Sequence, residues 1–67
     1  QRLSEIRQKK GMSQRQLALA VGKSQPQICL WEHGETRMYV DDLLRCAEAL
    51  QVSVNVLVIL NEIHYES

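Results

Sequence analysis

Two helix starts stand only eleven residues apart in this chain, with one glycine between them. Each start has the pattern of a capping box, a serine followed three residues later by a glutamine: Ser13 with Gln16, and Ser24 with Gln27. Gly22 suits the left-handed conformation that ends a helix. Each helix therefore has room for about two turns. Two helices this short, joined this tightly, are expected to cross steeply rather than form a long hairpin.

The side chains of both helices predict a helix-turn-helix unit over about residues 13–33. Ala18 is small where the third helix must approach, and Pro26 lies in a first helical turn, where a missing N–H costs nothing. The larger apolar residues of the predicted shared core are Leu17, Val21, Ile28 and Trp31. Gly34 ends the third helix. Other small helical bundles also combine short helices with glycine turns, so this pattern alone leaves the function open.

The flanking segments predict further helices and an all-α fold. The first helix ends at Gly11, and Leu3, Ile6, Arg7 and Lys10 follow the i, i+3, i+4, i+7 spacing of a helix. The fourth helix begins with Asp41 and Asp42, whose carboxylates suit the positive end of a helix dipole. Its predicted inward stripe is Val40, Leu43, Leu44, Ala47 and Leu50, with Cys46 beside it.

Residues 54–67 carry more apolar side chains than one packed helix needs. Ser53 caps a fifth helix from Val54 to about Leu60, although the β-branched run 52–59 also alternates as a strand does. The surplus side chains would form an exposed apolar patch, which serves a dimer contact or covers another segment of the protein. The predicted dimer contact consists of Val56, Ile59, Leu60 and Ile63, with Tyr65 nearby.

Composition favours a single domain, residues 1–67, and excludes several classes of protein. Apolar residues make up 45% and charged residues 24%, and no apolar run is long enough for a membrane helix. Cys29 and Cys46 are too few for a disulfide scaffold and lack zinc-ligand spacing, which fits a reducing cytoplasm. His33 and His64 lie far apart, and catalytic motifs are absent. The sequence therefore predicts no enzyme, no metal and no cofactor.

The charges are unevenly distributed although the formal net charge is zero. Residues 1–23 carry +5 and residues 24–67 carry −5. A folded chain with this split is an electrical dipole that can turn a positive face toward phosphate. Chance and solubility explain the split equally well, so it favours a nucleic-acid partner only together with other features.

Three segments carry a resemblance to a known family: residues 11–18 (GMSQRQLA), 31–34 (WEHG) and 43–50 (LLRCAEAL), the last followed by Val52 and Ser53. From Leu3 to Val58 the chain resembles the DNA-binding domain of phage repressor and Cro-type helix-turn-helix proteins. The resemblance implies a compact five-helix bundle of the lambda-repressor-like kind. It also implies a transcriptional regulator, in most cases a repressor, that binds a palindromic operator as a dimer with the third helix in the major groove.

The resemblance makes the start of the third helix the candidate base-reading surface. The residues assigned to it are Gln25, Pro26, Gln27 and Leu30. The Gln25 amide can donate to and accept from the adenine edge, while Pro26 and Leu30 can pack on thymine methyl groups. Gln27 has a competing role as the capping partner of Ser24. A solvated glutamine and an exposed leucine are the plainer interpretations of the same residues.

Contacts to phosphate would position the domain without reading sequence. Gln14, in the first turn of the second helix, is a residue that matching family members use in this way. The other candidates are cations and hydroxyl groups near the same side: Lys10, Arg15, Lys23, Thr36, Arg37 and Tyr39. Each cation taken singly is better explained as a solvated surface charge.

Two opposite charges are predicted to face inward on different helices. Arg7 shares a helical face with Leu3 and Ile6, and Glu32 lies four residues after Ile28. An unpaired buried charge is costly, so we expect Arg7 and Glu32 to form a salt bridge. Family members with this Arg and Glu pair them in the same way.

Several residues depart from the family pattern and keep a second function open. Lys23 stands where relatives usually have an apolar residue, and Tyr39 where they have a small cap. Leu30, with Cys29 beside it, stands where they have a polar residue that faces DNA. The same fold could therefore dock a partner protein, as an antitoxin or adaptor does, through these two residues and the apolar C-terminal helix.

Overall fold

The computed structural model describes residues 2–58, and this stretch contains helices and no strand. Its helices are α1 (Arg2–Lys9), α2 (Gln14–Val21), α3 (Gln25–Glu32) and α4 (Val40–Leu50). A fifth helix, α5, begins at residue 54 and is described as far as residue 58. The all-α, five-helix prediction is confirmed, and 54–58 is helical rather than extended. Among the described residues, no helix is both long enough and apolar enough to cross a membrane.

The start and end of α2 follow the local sequence signals. Ser13 Oγ accepts a hydrogen bond from the Gln16 backbone N–H at 3.0 Å, and Gln16 Oε1 accepts one from the Ser13 N–H at 2.8 Å. Gly22 ends the helix at φ +72° and donates its N–H to the Ala18 carbonyl. The predicted capping box and glycine C-cap are confirmed, since both depend on groups only a few residues apart.

The start of α3 has only half of the predicted capping box. Ser24 Oγ accepts from the Gln27 N–H at 3.3 Å. The Gln27 side chain does not return to the Ser24 N–H, and its Nε2 donates instead to Thr36 Oγ1 at 3.0 Å. The predicted reciprocal capping box between Ser24 and Gln27 is therefore wrong. The loop after α3 comes close enough to offer the amide a partner that no local pattern could show.

The core draws side chains from every helix. α2 packs against both α3 and α4, and α1 packs against α3. The largest fully buried side chains are Leu17, Ile28, Cys46, Leu50 and Leu57. Burial of an aliphatic side chain of this size contributes about 1.5–3 kcal/mol. The helix-turn-helix pair is thus held by its own packing, by α1 against α3 and by α4 against α2, and Leu57 of α5 completes the same core cluster.

The inward face of α4 differs from the predicted stripe at two positions. Val40 is 69% exposed and Leu44 is 52% exposed, so both are wrongly placed in the core by the pattern. The buried residues are Asp42, Leu43, Cys46, Ala47 and Leu50. Helical spacing counted from residue 40 or from residue 43 gives two overlapping stripes. Packing against α2 selects the second of them, which brings a carboxylate inside.

The end of α4 lacks the glycine that ends α2. Gln51 adopts the left-handed conformation at φ 57°, and its N–H donates to the Ala47 carbonyl. It is the one non-glycine residue with positive φ among those the structure describes, whereas Gly22 has φ +72°. A side chain in this conformation costs about 1–2 kcal/mol relative to right-handed backbone.

Candidate nucleic-acid interface

The first residues of α2 and α3 meet where the two helices cross. Gln14 begins α2 and is half-buried, while Gln25 begins α3 and is exposed. Gln25 Nε2 donates a hydrogen bond to Gln14 Oε1 at 2.8 Å. The crossing therefore joins the predicted base-reading glutamine to the predicted phosphate-contacting glutamine.

Behind these glutamines lies a buried ion pair. Arg7 Nε and Glu32 Oε2 are 2.6 Å apart, and the two residues are only 8% and 4% exposed. Arg7 Nη2 also reaches Glu32 Oε1 at 3.4 Å, and Arg7 Nη1 donates to the Met12 carbonyl at 2.8 Å. Gln14 Nε2 donates to Glu32 Oε1 at 2.8 Å. Together Arg7, Glu32, Gln14 and Gln25 form one continuous hydrogen-bonded row, called the polar chain below.

The polar chain has a fixed direction. An ionised carboxylate only accepts hydrogen bonds, so the amide group that Gln14 turns toward Glu32 must be Nε2. Gln14 Oε1 then faces Gln25 and accepts from its Nε2. Gln25 keeps Oε1 and one N–H for other partners. A buried charge pair thus determines which atoms an exposed side chain has available.

The remaining candidate residues on α3 differ in exposure. Pro26 is exposed and Leu30 is half-buried, and neither side chain has a hydrogen-bonding group. Cys29 is half-buried, with its Sγ 3.4 Å from His33 Nδ1. His33 Nδ1 also lies 2.8 Å from the Cys29 carbonyl oxygen, which can only accept, so Nδ1 carries the proton. This side of α3 is mixed rather than purely polar.

The predicted cationic contacts are all exposed residues: Lys10, Arg15, Lys23 and Arg37. The Nζ of Lys23 lies 3.3 Å from Asp42 Oδ1, and the Lys23 side chain is 37% exposed. A phosphate contact by Lys23 would have to share or replace that partner.

Asp42 is a residue whose role sequence reasoning missed. It is 8% exposed, and its Oδ2 accepts a hydrogen bond from the Tyr39 N–H at 3.3 Å. Burial raises the pKa of the neighbouring Cys46 thiol from 9.0 to about 12, and the Asp42 carboxylate adds to the effect. The available signal was Lys23, a cation at a position where relatives carry an apolar residue. A cation at such a position indicates a carboxylate partner nearby, and exposed Lys23 pairs with Asp42.

The hydroxyl candidates Thr36 and Tyr39 lie in the loop before α4 and at the start of that helix. Tyr39 is 74% exposed, and half-buried Thr36 accepts a hydrogen bond from Gln27.

Of the residues predicted to form the dimer contact, Val56 is 41% exposed. The other residues of that prediction lie outside the described residues: Ile59, Leu60, Ile63 and Tyr65. Within residues 2–58, no three His, Cys, Asp or Glu side chains come together as metal ligands.

A family model described as helix-turn-helix matches residues 3–57 of the chain. The match begins in α1 and ends in α5, so it includes every residue of the polar chain. No curated protein matches the chain, and no solved structure matches it.

Proposed function

The chain belongs to the helix-turn-helix family of the repressor and Cro type, a family of DNA-binding regulators, and on this basis we propose that it is a sequence-specific transcriptional regulator. In this proposal α3 enters the major groove of double-stranded DNA. The protein acts as a repressor on a palindromic operator, as a homodimer, in the cytoplasm where its thiols stay reduced.

The observation that carries this proposal is the polar chain. Gln25 stands exposed at the start of α3 with one acceptor and one donor available, the pair that adenine N6 and N7 require in the major groove. Its amide is held by Gln14, which is held in turn by buried Glu32. A side chain oriented before binding loses less conformational entropy on binding than a freely moving one. A merely solvated glutamine needs no such support.

Phosphate contacts complete the proposed interface. Gln14 retains one amide hydrogen, and the N-terminus of α2 offers backbone N–H groups to an anion. The proposed further contacts come from Lys10, Arg15, Lys23, Thr36, Arg37 and Tyr39. The +5 charge of residues 1–23 favours this approach. On the groove side, Pro26 and Leu30 pack on thymine methyl groups, and Gln27 is a further base-reading candidate.

We propose that the C-terminal segment, residues 54–67, makes the dimer contact through Val56, Ile59, Leu60 and Ile63. Two recognition helices about 34 Å apart can read successive major grooves on one face of DNA. Sedimentation at several concentrations tests this assembly, with Ile59→Asp as the disrupting variant. A monomer at high micromolar concentration that Ile59→Asp leaves unchanged would contradict it.

The decisive experiment selects binding sites from a random duplex pool and then compares variants on the selected site. We expect Gln25→Ala to relax the preference at one base-pair position of each half-site, a loss of about 1–3 kcal/mol of discrimination. Gln14→Ala should weaken binding to all duplexes and also relax the Gln25 position, because it removes the amide that holds Gln25. Gln8→Ala, an exposed glutamine on α1, is the matched control.

The alternative of a protein-docking module predicts a different result. A DNA-binding domain should retard even random duplex DNA in a gel at low salt, and this retardation should weaken as the salt concentration increases. If the protein retards no duplex in the gel, and neither Gln25→Ala nor Gln14→Ala changes its affinity for DNA, docking of a partner protein through Leu30 and Cys29 is favoured.

A further inference from the structure

Gln27 is held by a residue of the loop that follows its own helix. It is the third residue of α3 and is half-buried, and its Nε2 donates to Thr36 Oγ1 at 3.0 Å. Its backbone N–H is bound separately by Ser24 Oγ. The side chain has thus exchanged a local capping role for a contact with the segment between α3 and α4. This contact orders a flexible amide beside Gln25 and Pro26.

The direction of this bond depends on the Thr36 hydroxyl. A hydroxyl has one hydrogen to donate and two lone pairs that accept. If the hydrogen of Thr36 turns to a phosphate oxygen, which only accepts, a lone pair is left for Gln27. Gln27 must then offer Nε2 to Thr36 and turn Oε1 the other way. A phosphate contact by Thr36 would therefore fix the orientation seen in the structure.

We propose that Thr36 is a positioning residue for Gln27, and that Gln27 uses Oε1 to accept a hydrogen bond from an exocyclic amino group in the major groove. Adenine N6 and cytosine N4 are the amino groups there, whereas guanine O6 and thymine O4 only accept. Gln27 thus favours adenine or cytosine over guanine or thymine at one base position. This inference rests on the proposed DNA-binding function. Gln27, like Gln25, keeps Oε1 and one N–H. The inference assigns Gln27 a single base contact through Oε1, whereas Gln25 uses both groups and favours adenine alone.

The test measures dissociation constants by fluorescence anisotropy on the selected operator and on duplexes with each base at each half-site position. For the wild-type chain we expect one position at which adenine and cytosine bind about threefold to tenfold more tightly than guanine and thymine, the worth of one net hydrogen bond. Thr36→Val keeps the side-chain shape without the hydroxyl, and the preference at this position should fall below about twofold. Thr36→Ser keeps the hydroxyl and should retain the preference.

Gln27→Glu tests the orientation of the amide. A carboxylate only accepts, and Thr36 can donate to it, so the adenine or cytosine preference should survive while affinity for every duplex falls through repulsion from phosphate. A wild-type preference for guanine or thymine at this position, converted to adenine or cytosine in Gln27→Glu, would overturn the proposed orientation. Circular dichroism melting of each variant establishes that the compared proteins are folded.

The outcomes separate this inference from the proposed function. Wild-type protein that shows no salt-sensitive binding to any duplex would defeat the function itself. Wild-type protein that binds DNA, while Thr36→Val loses affinity evenly and keeps its base preferences, would overturn the positioning role alone. That pattern would make Thr36 a phosphate contact only. Loss of preference at the Gln27 position, with the Gln25 position unchanged, supports the inference.

Discussion

The ion pair between Arg7 and Glu32 and the ion pair between Lys23 and Asp42 differ in burial and in number of bonds. Arg7 and Glu32 join α1 to α3, with side chains 10% and 5% exposed and a shortest distance of 2.6 Å. Lys23 and Asp42 join the turn before α3 to α4, with side chains 37% and 10% exposed and a distance of 3.3 Å. Glu32 also binds Gln14, and Arg7 also binds the Met12 carbonyl.

The difference shows that a buried ion pair can fix the position of a side chain at the surface. A buried charged group needs hydrogen-bond partners for its remaining donors or acceptors. Arg7 and Glu32 therefore bind further polar groups, and the polar chain extends to Gln25 at the surface. The ammonium of Lys23 keeps access to water, and when it moves to another anion the Asp42 carboxylate retains the hydrogen bond from the Tyr39 N–H. One pair therefore holds a surface side chain in place, while the other can give up its partner to a phosphate.

The largest expected effect comes from breaking the buried pair. Arg7→Met keeps much of the side-chain volume but leaves Glu32 buried without its cation, so the free energy of unfolding should fall by about 3–5 kcal/mol. Urea unfolding measures the loss, and Arg15→Met, at an exposed arginine on α2, is the control. A loss below about 1 kcal/mol for Arg7→Met would show that the buried pair stabilises the fold no more than a surface ion pair does.

The next effect is a pH dependence of stability that comes from Cys46, the buried thiol beside Asp42. The Cys46 thiol has a pKa of about 12 in the folded protein and 9.0 without the protein's influence. Below pH 9 both states are protonated, and above it the unfolded state alone ionises, so stability is lost as the pH rises from 9 to 12. Relative to Cys46→Ala, the wild-type protein should lose on the order of 2 kcal/mol between pH 8 and pH 11.

Urea unfolding of both proteins across this pH range makes the comparison, since the two proteins differ only at residue 46. A constant difference between wild-type protein and Cys46→Ala would contradict the raised pKa. Asp42→Asn removes the carboxylate charge beside Cys46 and should lower the pH at which the loss ends.

A smaller effect, of opposite sign, is expected at the end of α4. Gln51→Gly should raise the free energy of unfolding by about 1 kcal/mol, because glycine adopts φ 57° without the strain of a side chain. Glu48→Gly, at an exposed position inside the same helix, should lower it by about 0.5–1 kcal/mol. Thermal unfolding of the two variants should therefore shift the melting temperature in opposite directions. Equal shifts would mean that α4 ends without strain.

The smallest effect on stability is expected for the half-exposed pair. Lys23→Met should cost less than about 1 kcal/mol, and the cost should shrink as salt increases. Lys9→Met, at the exposed end of α1, is the control. If Lys23 moves to a phosphate on binding, Lys23→Met should also reduce the slope of log affinity against log salt by about one. A stability loss as large as that of Arg7→Met would remove the distinction between the pairs.

The candidate site was only partly accessible to sequence reasoning. The resemblance and the helix starts point to Gln14 and Gln25 as contact residues, and their roles remain predictions. That the two amides touch, and that Gln14 continues inward to Glu32, depends on how α2 crosses α3. The contact between Gln27 and Thr36 was obscured by a local capping pattern that used the same glutamine.

The sequence by itself determined where α2 begins and ends, as Ser13 and Gly22 show, because capping depends on groups within about four residues. It also determined that Arg7 and Glu32 face inward, since helical spacing sets their faces. Only the tertiary structure decided that α4 turns Asp42 inward and leaves Val40 and Leu44 exposed. The local pattern favoured the apolar stripe that begins at Val40. Packing against α2, with Lys23 placed to neutralise the Asp42 carboxylate, selects the other stripe, and that arrangement involves residues far apart in the chain.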